Sequence, residues 1–374
     1  MACPPGAITG TIRSTNRLDS PPARPQPFRP ARNPAVSQTR HPPHARRRRP
    51  LSRSTSIPAA DLGELATVRG LRAIVETTKP RITRLVTITA LVGFGMAALE
   101  RSAAGHRWAF GELALLVLGT TIGTALSAAG ANALNQWMER DRDALMQRTA
   151  TRPLPEGRLT PSSVRTAGLA LSTLGVLTLL LLAGVVPALV SLACVALYVW
   201  VYTPSKPVTA GSTLIGAVPG ALPPLIGWSA VSATPGIAAL VEPGALALFA
   251  IMFVWQLPHF LAIGWMYRED YARGGYRVLP ALERGEHRTA VAIGLTAPLL
   301  VALTLAPAWA MPTLLGPGYL AAALLTGGAF LMLCARLAAA RRRELARPVF
   351  IASIVHLPIL LCAMVADGMA HALL

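Results

Sequence analysis

Apolar runs long enough to cross a lipid bilayer recur nine times along the chain, at residues 82–99, 111–134, 165–185, 187–203, 211–231, 244–265, 289–310, 318–340 and 348–370. An α-helix rises about 1.5 Å per residue, so about 20 apolar residues span the hydrocarbon core. Nothing else constrains the chain so strongly, because backbone surrounded by lipid must satisfy its own hydrogen bonds. The expected fold is all-α, a polytopic membrane bundle of nine transmembrane helices. With 53% hydrophobic and 14% charged residues among 374, the composition excludes an ordinary water-soluble globule. The third and fourth runs are the least sharply divided, since "AGVVPAL" between them carries no charge. The fifth holds Pro219, Pro223 and Pro224 among glycines, which predicts a kinked helix, either purely structural or forming a cavity wall.

A net charge of +18 would point a soluble chain toward nucleic acid, but its distribution argues against that partner. Residues 1–60 hold eleven arginines against a single acid, Asp19, and so supply more than half of the excess. Stretches such as "PPARPQPFRPARNP" offer nothing from which to build a core. Residues 1–67 are therefore expected to be a disordered Arg/Pro/Ser-rich extension ahead of a membrane domain at 68–374. A mitochondrial transit peptide is also Arg-rich, yet prolines at this density oppose the amphipathic helix it needs. In the remainder, basic residues gather in alternate loops: Arg140, Arg142, Arg148, Arg152 and Arg158 after the second run, Lys206 after the fourth, Arg268, Arg273, Arg277, Arg284 and Arg288 after the sixth, and Arg341, Arg342 and Arg343 after the eighth. The opposite loops carry only Arg101 and Arg107, so the N-terminus is expected on the cytoplasmic side. Cys3, Cys194, Cys334 and Cys362 show no metal-binding spacing, and neither disulfides nor a structural metal are expected.

The chemistry concentrates in "NQWMERDRDALMQRTATRPLP", residues 135–155. Asn135, Glu139 and Asp143 fall at i, i+4 and i+8, which drifts only about 40° around a helix and puts them on one face. Oxygen ligands so spaced suit Mg²⁺, a hard ion commonly shared with substrate phosphates. Asp141 points elsewhere and is expected to pair with Arg140 or Arg148. A lone acidic and basic mixture at a helix end is usually a solvated turn. A second constellation argues against that here: "WQLPHFLAIGWMYREDYARGG" places His259 in the sixth run and Arg268, Glu269 and Asp270 just past it, at the same membrane surface. Two carboxylate sets could then hold metal ions while Arg148, Arg152, Lys206 and Arg268 receive a diphosphate. His259 at membrane depth is either a ligand-facing group or an interhelical hydrogen bond. Tyr202 either binds a phosphate or anchors in the interfacial aromatic belt. His356, with no charge beside it, is expected to be structural.

The spacing of Asn135, Glu139 and Asp143 resembles the NxxxDxxxD signature of the UbiA superfamily of intramembrane prenyltransferases. "TKPRITRL" at 78–85, "RPLP" behind the column, "PGALPPLIGW" at 219–228, the "WQLPHF" to "YARGG" block and "ASIVHLPILLCAMVAD" are similar to the heme-farnesylating branch of that superfamily, in the same order. The resemblance implies nine helices, Mg²⁺, and transfer of farnesyl from farnesyl diphosphate to the 2-vinyl group of heme b, with water addition, to give heme o. It implies Asn135, Glu139, Asp143 and Asp270 as catalytic and metal-binding residues. Arg148, Arg152, Tyr202, Lys206, His259, Arg268 and Glu269 are implied as substrate-binding, with His259 near the porphyrin. The poor transit character of the tail points to a bacterial inner membrane, with the mitochondrial one as the alternative, and the basic loops put the site on the cytoplasmic side; heme a synthase or terminal oxidase assembly proteins are the expected partners. Two positions depart from the superfamily pattern: Glu139 stands where Asp is usual, and the second DxxxD motif is reduced to Arg268, Glu269 and Asp270.

Rival functions are a quinone-precursor prenyltransferase, whose second cluster is richer in Asp than "YREDY", a transporter, and a non-catalytic assembly factor. Transporters place their binding groups near the midplane in two matching halves, whereas here the charges gather at one surface.

Overall fold

The computed structural model describes residues 70–373; the expected extension at 1–67 lies outside the described residues. Among the described residues, nine helices are long and apolar enough to cross a membrane: α1 (Pro80–Ala103), α2 (Phe110–Asp143), α3 (Pro161–Leu182), α4 (Val185–Ser205), α5 (Ser212–Val231), α6 (Pro243–Met266), α7 (Gly285–Ala310), α8 (Pro317–Ala340) and α9 (Arg343–Ala372). They match the nine apolar runs one for one, and no strand occurs among the described residues. Several begin at proline, as in α1, α3, α6 and α8, where the missing N–H is one the first turn leaves unpaired anyway. The start of α8 is capped from another helix: Asp367 of α9 accepts from the Gly316 and Tyr319 amides at 2.7 and 3.2 Å.

Successive helices pack side by side, and α1 also meets α5 and α9 while α6 meets α9, which closes the ring. The innermost members are α5 and α6, whose apolar windows are 61% buried against 28–39% in the others. Lipid is as apolar as leucine, so helix pairing here relies on close packing of small residues. Along α2 and α3 this is direct: a Cβ on Gly130 would lie 2.4 Å from the Ser172 amide nitrogen, and one on Gly175 would lie 2.4 Å from that of Ser127. Gly93 and Gly227 bring α1 and α5 together in the same way, against the carbonyls of Pro224 and Ala90.

Helix length and two breaks in regular winding shape the bundle around its charged end. At 34 residues α2 is about 51 Å long, well beyond a hydrocarbon core of roughly 30 Å, so its last turns project past the apolar zone. In α5 the helix breaks at Leu222, between Ser212–Ala221 and Pro223–Val231. Pro223 has no N–H for the Pro219 carbonyl, which instead receives the Leu222 amide at 3.4 Å and the Cys194 thiol at 3.1 Å. Nearby, the Gln256 amide of α6 donates to the Ala217 carbonyl at 3.4 Å. In α4, Leu197–Tyr202 is π-helical, ahead of Pro204, and Thr203 donates back to the Tyr198 carbonyl at 2.8 Å.

Gly130→Ala should destabilise the protein by roughly 1–3 kcal/mol through overpacking of α2 against α3. Gly95→Ala, where a Cβ meets nothing within 4 Å, should not. Unfolding midpoints of the two variants in one detergent check the contrast.

Candidate active site

The projecting end of α2 carries Asn135, Glu139 and Asp143 on successive turns of one face, with relative exposures of 1%, 6% and 1%. Each rung meets a cation. Lys79 Nζ donates to Asn135 Oδ1 at 2.7 Å, Lys206 Nζ to Glu139 Oε1 at 2.6 Å, and Arg152 Nη1 to Asp143 Oδ2 at 2.6 Å. The Asn135 amide also donates to Thr203 Oγ1 of α4 at 3.0 Å. The second oxygen of Asp143 is buried with no hydrogen-bond partner among the described residues.

These cations come from three separate segments, each fixed by its own contacts. Lys79 sits directly before Pro80 in the left-handed region, at φ 49°, a conformation that costs a non-glycine residue free energy and persists only when its surroundings impose it. The residues before it are tied down: Gln136 donates to the Thr77 carbonyl at 2.9 Å, and Arg158 grips Glu76 with both terminal nitrogens at 2.7 and 3.0 Å. Arg152 is returned to α2 by a loop in which Thr149 donates to the Asp143 carbonyl at 2.9 Å. Lys206 follows the π-helical stretch of α4 after one short α-helical turn, Thr203–Ser205, and its carbonyl accepts from the Arg277 amide at 2.9 Å.

Three cations thus face two carboxylates. The excess is felt at Lys79, whose ammonium is pushed down to about 7 by burial first and then by Arg152, with Lys206 adding to the effect. Burial also opposes the charge of Lys206, but Glu139 outweighs it and holds that ammonium well above its ordinary range. Tyr202 and Tyr276 flank Lys206, their ring centres 4.6 and 5.9 Å from Nζ. Tyr276 is only 5% exposed. A buried ladder with surplus positive charge, two tyrosines and free carboxylate valence is suited to a polyanion accompanied by a divalent cation.

Of the residues singled out in the sequence, the structure gathers Asn135, Glu139, Asp143, Arg152, Tyr202 and Lys206. Asp270, expected beside the metal, accepts from the Gln147 and Arg148 amides at 2.8 and 3.1 Å and from Arg273 at 2.5 Å. Burial works against its charge, yet Arg273 and these two amides hold the carboxyl below the usual range. Its contacts tie the α6–α7 loop to the α2–α3 loop. Arg148 is exposed and lies over Tyr267 and Tyr271, at 5.2 and 5.6 Å. Arg268 pairs with Glu286, and Glu269 with Arg343 at 2.8 Å, which fastens the end of α6 to α7 and α9 rather than to the column. His259, half-buried, faces α9: Nδ1 lies 2.7 Å from Ser353 Oγ, and the ring stacks on Trp255 at 4.8 Å. Asp141 pairs with Arg140 at 3.4 Å, and His356 reaches Thr326 of α8 at 2.9 Å. Sequence reasoning misses Lys79, Thr203 and Tyr276. Only Lys79 carries a signal, as a lysine beside the proline that starts a span.

The fold and this site define a polytopic membrane protein with a buried acidic column at one end of its bundle. The sequence model of the UbiA prenyltransferase family matches residues 86–355, and the chain belongs to that family. Among curated relatives, it is 40% identical to the protoheme IX farnesyltransferase of Solibacter usitatus (strain Ellin6076) over 79% of this chain and 99% of that protein. Among solved structures, it resembles digeranylgeranylglyceryl phosphate synthase, with a TM-score of 0.62 at 15% identity over 80% of this chain and 99% of that one. It also resembles a UbiA homolog from Archaeoglobus fulgidus bound to GPP and Mg²⁺, with a TM-score of 0.53 at 14% identity, covering 81% and 100%. The chain is an integral membrane prenyltransferase.

Lys206→Met should cost about 3–5 kcal/mol of stability, because it leaves Glu139 buried without its cation. Adding Glu139→Gln should recover most of that loss without recovering activity. Unfolding midpoints and turnover of the single and double variants read the two effects separately.

Proposed function

We propose that this chain transfers the farnesyl group of farnesyl diphosphate to the 2-vinyl carbon of heme b, with addition of water, to make heme o for respiratory oxidases. The observation that carries the proposal is the buried ladder in which Lys79, Arg152 and Lys206 outnumber Glu139 and Asp143. Such a site rewards a diphosphate, and the apolar bundle beneath it accepts a farnesyl chain and a porphyrin face. The name of the Solibacter usitatus relative, aligned over nearly its whole length, supports heme as the acceptor.

Mg²⁺ fits the residues present. The partnerless oxygen of Asp143, together with oxygens of Glu139 and Asn135, offers hard ligands on one helix face. Among the described residues no cluster of three or more Asp, Glu, His or Cys forms a metal site by itself, which suits an ion that completes its shell with water and substrate phosphate. When bound, such an ion neutralises charge that builds on the departing diphosphate. Asp270 acts in this reading by holding the α2–α3 loop that delivers Arg152.

In the reaction, the bond between C1 of the farnesyl chain and oxygen breaks, and its electron pair leaves with the diphosphate. Lys79, Arg152 and Lys206 stabilise the oxygens that gain charge, already in place and largely shielded from water. The allylic cation adds to the vinyl carbon, water captures the cation this creates, and a proton is released. The bundle keeps stray water from the first cation. His259 is assigned to the porphyrin: with Nδ1 held by Ser353, Nε2 is the nitrogen left to meet iron. Arg148, exposed at the mouth, receives anionic groups on entry, whereas Arg268 and Glu269 brace the end of α6. The alternating basic loops support a site on the cytoplasmic side, and this reading puts the chain in a bacterial inner membrane, with the mitochondrial inner membrane as the alternative. Heme a synthase or oxidase assembly proteins would receive the product.

The test is a heme extract, analysed by mass spectrometry, from cells that lack their own heme o synthesis and express this chain. Farnesylated heme should appear with the wild type and fall at least about a hundredfold with Asp143→Asn, the scale of losing a group that stabilises transition-state charge. Only heme b from a well-expressed, membrane-inserted wild type overturns the proposal, and a prenylated quinone precursor in the same extract would redirect it.

A further inference from the structure

The α6–α7 loop is more than a connection. After the short helix Arg268–Arg273, Gly275 at φ +68° turns the chain back, and the Tyr276 amide donates to the Tyr271 carbonyl at 2.9 Å. The next amide, Arg277, pins the loop to the end of α4 through the Lys206 carbonyl at 2.9 Å, and Arg142 holds the Gly274 carbonyl at 2.9 Å. Tyr276 is thereby fixed between two cations, its ring centre 5.9 Å from Lys206 Nζ and 5.7 Å from the Arg142 guanidinium carbon. Tyr276 is 5% exposed, and its hydroxyl meets no hydrogen-bonding atom within 3.5 Å among the described residues, although the Glu139 carboxylate lies near enough to compete for it.

A buried hydroxyl without a partner is costly, and proteins leave few of them unless something else supplies the partner. A phenol is a donor at neutral pH, and Glu139, the protein acceptor beside it, is already held by Lys206 at 2.6 Å. The neighbouring carboxylate oxygen of Asp143 is partnerless as well. Two groups of opposite hydrogen-bonding character therefore border the same ladder: beside Arg152, an acceptor that a metal ion satisfies, and beside Lys206, a donor that a phosphate oxygen satisfies.

We propose that Tyr276 is a substrate-binding residue whose hydroxyl donates a hydrogen bond to a diphosphate oxygen, so that the α6–α7 loop forms one wall of the diphosphate site. The assignment rests on the reading of the ladder as a diphosphate site and adds to it a contact from the α6–α7 loop, which supplies none of the three cations. The alternative role for Tyr276 is a purely structural one, in which the ring fills space beneath Arg142 and Lys206 and the hydroxyl does nothing.

Tyr276→Phe separates the two, because it keeps the ring and both cation–ring contacts and removes only the donor. The full-length wild type, Tyr276→Phe and Tyr276→Leu are purified in detergent, and equilibrium binding of inorganic pyrophosphate with Mg²⁺ is measured for each, alongside KM for farnesyl diphosphate and kcat. Loss of a hydrogen bond to a charged oxygen should weaken pyrophosphate binding by roughly tenfold in Tyr276→Phe. KM should rise with it, and the unfolding midpoint should stay that of the wild type. Wild-type binding in Tyr276→Phe with loss only in Tyr276→Leu overturns the inference and assigns the residue to packing. Failure of the wild type itself to bind pyrophosphate overturns the diphosphate reading, and the role of Tyr276 with it.

Discussion

Two carboxylates and an amide oxygen buried at the end of a lipid-spanning helix must be compensated, and the way this chain compensates them organises the rest of the molecule. An ionised carboxylate removed from water is expensive unless paired and hydrogen-bonded. Glu139 and Asp143 are paired by Lys206 and Arg152, and Asn135 by Lys79, with donors drawn from before α1, after α2 and after α4. Closing the column therefore requires three connections to arrive at one place. The left-handed backbone at Lys79, the π-helical end of α4 and the doubly hydrogen-bonded Asp270 all serve that convergence.

The parts of the molecule legible in the sequence are those set by local effects. A run of about twenty apolar residues has one stable outcome in lipid, and all nine spans match. A column at i, i+4 and i+8 shares a face wherever the helix continues, so Asn135, Glu139 and Asp143 are readable together. Lys206 and Arg152 are readable as cations near the same surface, though not which carboxylate each meets. Lys79 lies 56 residues from Asn135, and its contact depends on a backbone conformation that the residue type disfavours. Tyr276 is hidden for a similar reason, since nothing in "GGYRV" announces that the loop turns inward. Asp270 shows the opposite difficulty. An aspartate beside arginines reads the same whether it faces a metal or caps two loop amides, and only the direction of Gln147 and Arg148 separates the cases.

The ladder is polar and rigid, while the surface beneath it is apolar, and the division runs along the helices. α2 and α4 supply the charged end. α5 and α6 are the most buried, and they carry the irregularities that membrane backbone tolerates only when protein satisfies it: the break at Leu222, the Cys194 contact to Pro219, and Gln256 against Ala217. His259 belongs to this second region, facing α9 across Ser353, so it is not a fourth member of the charged column. A site for one amphipathic substrate needs a charged end and an apolar chamber in series.

In the proposed reaction the charge surplus also bears on catalysis and not only on binding. A cation that merely attracts diphosphate lowers the energy of the bound substrate and of the ionising state alike, and so adds nothing to turnover once the site is filled. Ionisation moves electron density onto the oxygen that was bonded to carbon, and a group helps the chemical step only if its interaction strengthens with that transfer. Cations held by buried carboxylates meet this condition better than mobile ones. Glu139 and Asp143 fix Lys206 and Arg152 in direction before substrate arrives, so little reorganisation remains when the bond breaks. In the proposed reaction the acidic column thus has a second use beside the metal binding proposed for it: it keeps the cations assigned to the departing diphosphate from relaxing toward solvent.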